Sequence, residues 1–150
     1  MALQASDTSL RITHRFQASR QRVFRAWTEP ELLMKWFVET DGRVDTCEID
    51  LRPGGKYRLG GSYGGKKWSI WGEYLEVKPG EKLVYTWIWE HDAGPWVPKG
   101  NTQVTVEFRD LGDSKETELV LTHERFETKA ARDEHNAGWI GCLNRLAKFV

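Results

Sequence analysis

The chain of 150 residues carries 22 basic and 22 acidic side chains, so its formal net charge at pH 7 is zero. This balance excludes a global electrostatic field that would recruit nucleic acid, anionic lipid or another strongly charged partner. The length suits one domain over residues 1–150, and no run of about eighteen apolar residues predicts membrane insertion. The N-terminus shows no export signal, so we expect a soluble, cytoplasmic protein.

Aromatic residues are the unusual part of the composition, because eight residues are tryptophan. Trp is bulky, and its N–H needs an acceptor when the ring is buried. So many tryptophans in a small chain indicate either a core rich in aromatic side chains or a cavity with aromatic walls. Composition leaves both alternatives open. The two cysteines, Cys47 and Cys142, form no C-x-x-C motif and are expected to be reduced and buried.

The chain begins with a predicted strand and two short helices. In the strand, the residues that alternate onto one face are Leu10, Ile12, His14 and Phe16. Ser19 is positioned to cap the first helix. The second helix is predicted to start at a capping box formed by Thr28 and Glu31, with Pro30 in its first turn.

From about residue 43 the apolar period changes to two, and six more strands are predicted. They lie in VDTCEIDLR, KYRLGGS, WSIWGEYLEVK, LVYTWIWE, TQVTVEF and TELVLTHERF. In VDTCEIDLR, one face is predicted to carry Cys47, Ile49 and Leu51. In WSIWGEYLEVK, Ile70, Gly72 and Tyr74 lie opposite Trp71, Leu75 and Val77. In LVYTWIWE, one face carries Leu83, Tyr85, Trp87 and Trp89. Short turns between them predict a meander.

The segment GGSYGGKKWS nearly matches the phosphate-binding signature G-x-x-x-x-G-K-S/T, with Gly60, Gly65 and Lys66 in place. Lys67 stands where a hydroxyl should hold Mg²⁺. A phosphate loop opens a helix, whereas the residues after Lys66 alternate like a strand. The glycines therefore predict a hairpin turn and no nucleotide site.

A long helix is predicted over residues 128–149, with Thr128 as its cap. Its apolar stripe consists of Trp139, Cys142, Leu143, Leu146, Phe149 and Val150. The first half, KAARDEHNAG, is much less apolar. We therefore expect the second half of the helix to pack against the core and the first half to lie over a cavity.

Four segments carry a resemblance to a known family: VFRAWTEPELLMKWF, IDLRPGGKYR, GEYLEVKPGEKLVYTWIWE and TELVLTHERFETKAARDEHNAGWIGCLNRL. In order and spacing they resemble the proteins named for the activator of the heat-shock protein ATPase, within the START and birch-pollen-allergen-like (SRPBCC) superfamily. The resemblance implies an α+β helix-grip fold, in which a curved antiparallel seven-stranded sheet surrounds a long C-terminal helix and two short helices follow the first strand. It also implies an apolar pocket. KWFVET departs from many relatives, which have a second Trp and then Gly-Pro.

The histidines are the candidates for chemistry: His14, His91, His123 and His135. His123 shares its strand face with Leu119 and Leu121, and His135 lies four residues before Trp139 on the helix. Both imidazoles could border one cavity; the alternative is a hydrogen-bonded core His and a solvated helix His. No zinc-ligand spacing, nucleophile elbow or close carboxylate pair is present, so we predict no catalytic residue, metal or cofactor.

Three functions remain open, and the first is favoured. They are binding or sensing of a small hydrophobic ligand, planar aromatic or lipid-like; a co-chaperone-like module that binds a chaperone or other protein; and a cavity enzyme of the cyclase or hydrolase type. The namesake eukaryotic proteins add an N-terminal binding domain, for which 150 residues leave no room. The predicted ligand-binding residues are Trp36, Phe37, Tyr57, Tyr74, Tyr85, Trp87, His123, His135 and Trp139.

Overall fold

The computed structural model describes residues 7–39, 41–91 and 102–150. The strands are β1 (Ser9–Phe16), β2 (Gly42–Ile49), β3 (Lys56–Tyr63), β4 (Lys66–Lys78), β5 (Lys82–His91), β6 (Thr102–Asp110) and β7 (Thr117–Glu124). The helices are α1 (Arg20–Thr28), α2 (Pro30–Trp36) and α3 (Lys129–Phe149). The loop HDAGPWVPKG, apart from the backbone of His91, lies outside the described residues.

All strand pairs are antiparallel, and the order across the sheet is β1-β7-β6-β5-β4-β3-β2. The six strands after α2 therefore form a meander. β1 pairs with β7 and forms one edge of the sheet. The sheet curves around α3, and the buried apolar side chains lie between them. The predicted α+β helix-grip fold is confirmed.

The two short helices follow β1 as predicted, but the cap of the second is different. The hydroxyl of Ser19 accepts a hydrogen bond from the Arg22 N–H at 3.2 Å, so it caps α1. Glu29, not Thr28, is the N-cap residue of α2. Thr28 completes α1 instead, because its hydroxyl donates to the carbonyl of Phe24 at 2.9 Å. The predicted capping box was therefore wrong.

Two side chains, Val77 and Leu51, do not lie on the strand faces predicted for them. The register of β4 shifts between Tyr74 and Glu76, which leaves Leu75 exposed and returns Val77 to the core side. A bulge of this kind adds a residue and reverses the alternation beyond it. Leu51 follows the end of β2 and is exposed, so it does not continue the face of Cys47 and Ile49.

The glycine-rich segment forms a tight hairpin between β3 and β4. Tyr63 pairs with Lys66, and the two residues between them, Gly64 and Gly65, have φ angles of 58° and 79°. Positive φ at both central residues is what a two-residue turn of the I′ type requires. Lys66 begins a strand of 13 residues, so the segment after this turn is a strand and not the helix that a phosphate loop would open. The turn prediction is confirmed.

The second half of α3 anchors the helix to the sheet. The hydroxyl of Thr128 accepts from the Ala131 N–H at 3.1 Å and caps the helix as predicted. The buried residues of α3 are Trp139, Cys142, Leu143 and Leu146, and Phe149 and Val150 pack against the core. No described helix combines the length and hydrophobicity that a membrane span needs.

Arg145 ties α3 to the end of α2. Its Nε and Nη2 donate to the carbonyl oxygens of Trp36 and Phe37 at 3.1 and 2.8 Å. These carbonyls lie at the C-terminus of a helix, where a basic side chain is favourable. Cys142 lies beside them, and both it and Cys47 are free; burial raises the pKa of each thiol to about 11.

Candidate functional site

The space between the sheet and α3 is occupied by stacked tryptophan rings. Trp139, from α3, lies 6.0 Å from Trp27 in a stacked arrangement and 5.0 Å from Trp87, centroid to centroid. Trp27 in turn contacts Trp36 at 5.3 Å. These rings join α1, α2, α3 and β5 in one aromatic cluster, and each is at most 8% exposed. Much of the aromatic content of the chain is therefore core.

His123 connects this cluster to the sheet through a chain of hydrogen bonds. The indole N–H of Trp139 donates to His123 Nδ1 at 3.0 Å, and His123 Nε2 lies 2.8 Å from the hydroxyl of Thr102. That hydroxyl donates to the carbonyl of Trp87 at 2.9 Å. Because Nδ1 accepts, the proton of the neutral ring is on Nε2, which donates to Thr102. The chain of donors thus links α3 to three adjacent strands.

His135 is fixed in the opposite tautomer. Its Nε2 accepts from the indole N–H of Trp87 at 3.2 Å, and its Nδ1 lies 2.9 Å from the carbonyl of Ala131, to which it donates. The rings of His123 and His135 are 5.2 Å apart. Burial lowers the pKa of His123 well below its usual range, and the nearby ring of His135 adds to this effect, because two protonated imidazoles would repel each other. Burial also lowers the pKa of His135.

Three tyrosines line the interior together with Trp27, Trp87 and Trp139. The rings of Tyr57, Tyr74 and Tyr85 lie 5.3–5.8 Å apart. The hydroxyl of Tyr57 donates to the carbonyl of Thr86 at 2.6 Å, and that of Tyr85 accepts from Trp27 at 3.3 Å. Burial raises the pKa of all three phenols, so they are neutral.

Within the part of the chain that the structure describes, two adjoining spaces lie between the sheet and α3. The first, which we call the inner cavity, has a volume of about 30 Å³ and is lined by aromatic and aliphatic side chains, including the three tyrosines. The second, the helix groove, has a volume of about 150 Å³ and lies beside the middle of α3, from Glu134 to Arg145. The two share four lining residues: Phe37, Ile70, Trp87 and Trp139. The groove therefore leads towards the inner cavity.

The helix groove has aromatic walls and a charged rim. The aromatic residues are Phe37, Trp87, Trp89 and Trp139, and the ionisable ones are Glu39, Glu134, His135 and Arg145. Gly138 stands at the groove on α3, and a Cβ atom built there would meet no other atom within 4 Å. The groove thus extends along α3 from the end of the less apolar first half into the apolar second half.

The nine residues predicted to bind a ligand fall into three groups. The inner cavity is lined by Phe37, Tyr57, Tyr74, Tyr85, Trp87 and Trp139, and the helix groove by Phe37, Trp87, His135 and Trp139. Trp36 and His123 line neither space and are buried in the core.

Sequence reasoning missed Trp27, Trp89 and Glu134 as lining residues. Trp27 lines the inner cavity from α1, and Trp89, which the alternation placed only on a strand face, lines the helix groove. For Glu134, its position next to His135 on the helix was the available signal.

Both imidazoles, those of His123 and His135, serve as hydrogen-bonding groups within the protein. All four ring nitrogens of His123 and His135 are engaged in hydrogen bonds within the protein. In this arrangement neither imidazole is free to take a proton from a bound molecule. Across the described residues, no group of three or more His, Cys, Asp or Glu side chains could hold a metal ion.

A curved antiparallel sheet that grips a long C-terminal helix, with aromatic side chains between them, places the protein in the helix-grip class. The model of the family described as "Activator of Hsp90 ATPase homolog 1-like protein" matches residues 17–150, and the chain belongs to this family. No protein of curated function is significantly similar to it.

Solved structures of similar proteins share the fold over nearly their full length. Protein CV1439 from Chromobacterium violaceum is 27% identical, with a TM-score of 0.77 and coverage of 95% of this chain and 96% of that one. Protein NE0264 from Nitrosomonas europaea is 25% identical, with a TM-score of 0.77 and coverage of 96% and 94%. The AHSA1 protein SPO3351 from Silicibacter pomeroyi, at 22% identity and a TM-score of 0.79 over 93% and 95%, is similar in fold.

Proposed function

We propose that the protein binds or senses a small hydrophobic molecule containing a ring, in the helix groove and the adjoining inner cavity. The observation that carries this proposal is the aromatic wall of the groove, formed by Phe37, Trp87, Trp89 and Trp139. Flat aromatic faces favour planar apolar ligands, and stacking contributes roughly 0.5–1.5 kcal/mol beyond the burial of area.

The size of the space sets the size of the ligand. Drug-sized ligands occupy pockets of roughly 300–1,000 Å³, whereas a cavity of about 150 Å³ holds a molecule such as benzene. The groove of about 150 Å³ and the inner cavity of about 30 Å³ suit a single ring with a short substituent. A steroid or a flavonoid would have to displace Trp87 or Trp139, whose indole N–H groups are both hydrogen-bonded.

Filling the groove with a side chain is expected to weaken binding strongly. In Gly138→Leu the new side chain enters open space beside α3, at a position that lines the groove. We expect saturable quenching of tryptophan fluorescence by single-ring compounds in the wild-type protein, and at least about tenfold weaker binding in the variant, since a ring-sized volume is lost.

The matched control is Ala137→Leu, which adds a larger side chain at the exposed neighbouring position, outside the groove lining. Its binding should equal that of the wild type. Equal affinities in all three proteins, or no saturable binding by any single-ring compound, would show that the groove is not the ligand site.

A further inference from the structure

The rim of the helix groove carries one negative charge that the described residues leave uncompensated. Arg145 is engaged, because its Nη1 lies 3.5 Å from Glu39 and its Nε and Nη2 donate to backbone carbonyls. His135 is neutral in its hydrogen-bonded arrangement. Glu134 lines the groove, is exposed, and forms no ion pair with a described residue.

Three donors of the described groove, Trp87, Trp139 and Arg145, are not available to an anion. The indole N–H groups of Trp87 and Trp139 donate to His135 and His123, so neither is free to donate to a ligand. The guanidinium of Arg145 is held at the end of α2. A carboxylate or phosphate in the groove would lie near Glu134 and find these donors already occupied.

Indole faces and a carboxylate together favour a cation. The electron-rich face of Trp attracts an ammonium group within about 6 Å of the ring, and the attraction grows as water is excluded. Three indole rings, those of Trp87, Trp89 and Trp139, line the groove, and Glu134 lines it as well. Hydrophobic walls with a negative rim match a ligand that has an apolar body and a positive head.

We propose that the ligand of the helix groove is a small organic cation, an amine or quaternary ammonium on a single ring or similar apolar body, with Glu134 as its counter-charge. This inference rests on the proposed function, because it names the ligand class for the same groove. It assigns to Glu134 the selection of charge and to the tryptophans the binding of the apolar body.

The test compares three probes of one shape at pH 7.5: benzylamine as the cation, benzyl alcohol as the neutral analogue and benzoate as the anion. Titration calorimetry is expected to give benzylamine an affinity about tenfold above that of benzyl alcohol, with benzoate the weakest. The preference for benzylamine should shrink as salt is added, because a rim charge is screened.

The variant Glu134→Gln should remove most of the preference for benzylamine over benzyl alcohol and leave the affinity for benzyl alcohol itself unchanged. The matched control is Asp133→Asn, which removes the neighbouring carboxylate; Asp133 pairs with Arg132 at 2.7 Å and is not part of the groove lining. This control should keep the preference for the cation.

The outcomes separate the two proposals. Equal binding of benzylamine and benzyl alcohol, blocked by Gly138→Leu, would overturn the cation inference and leave the hydrophobic site standing. An unchanged preference in Glu134→Gln would overturn the role of that carboxylate. Absence of binding by every probe would contradict the proposed function, and the inference with it.

Discussion

Replacing Trp139 by alanine is expected to lower the free energy of unfolding by about 3–5 kcal/mol. The ring is 3% exposed and packs against Trp27 and Trp87, so its removal leaves a large cavity between α3 and the sheet. The substitution also leaves His123 Nδ1 without its donor, and an unsatisfied buried polar atom costs about 1–3 kcal/mol. Urea unfolding followed by far-UV circular dichroism measures the change without relying on tryptophan fluorescence.

Two further variants separate the causes of this loss. Trp139→Phe keeps an aromatic ring but removes the N–H, so it should lose about 1–3 kcal/mol. Leu143→Ala removes a fully buried side chain of the same helix that has no hydrogen bond, and should lose about 2–5 kcal/mol. Losses below about 1 kcal/mol for both alanine variants would mean that α3 does not dock on the sheet.

The free energy of unfolding is expected to fall steadily as the pH is lowered from about 6.5 to 5. His123 and His135 have lowered pKa values in the folded protein, because both rings are buried. In the unfolded chain a histidine titrates near pH 6.5. Below that pH the unfolded state binds protons that the folded state does not, and each histidine contributes up to about 1.4 kcal/mol per pH unit. Above it, both states are neutral and this contribution to the pH dependence vanishes.

Chemical denaturation at a series of pH values measures this slope. His135→Gln provides the comparison, because the glutamine amide oxygen can accept from the indole of Trp87 and does not titrate. The variant should lose the share of the slope that belongs to His135 and keep that of His123. An unfolding free energy that stays constant between pH 7 and 5 would contradict the neutral, hydrogen-bonded arrangement of the two rings.

The order of helices and strands could be predicted because these elements carry strong local signals, whereas the helix-grip fold itself was implied by the family resemblance. Alternation of apolar residues defined the strands, and the caps Ser19 and Thr128 marked two helices correctly. The errors lie where local patterns have two readings. Thr28 fits both the end of α1 and the start of α2, and the bulge after Tyr74 reverses the alternation without a distinctive residue.

The site was less predictable, because it depends on contacts between distant residues. Trp27 and Trp139 stack although 112 positions separate them (139 − 27), and no periodicity within α1 or α3 reports that contact. The expectation that the first half of α3 is the looser half came from its composition. The volume of the helix groove depends on how the aromatic rings pack, so the composition of the helix does not predict it.

Binding of a single-ring molecule in the helix groove is tested most directly by the indole N–H signals of the eight tryptophans in a ¹⁵N–¹H correlation spectrum. Titration with benzylamine is expected to shift the signals of Trp87 and Trp139, which line the groove, saturably and together. The signal of Trp36 should stay in place, because this indole is buried outside the groove and donates to the carbonyl of Ala26. Signals that all remain unmoved, or that drift together without saturation, would contradict a ligand site in the groove.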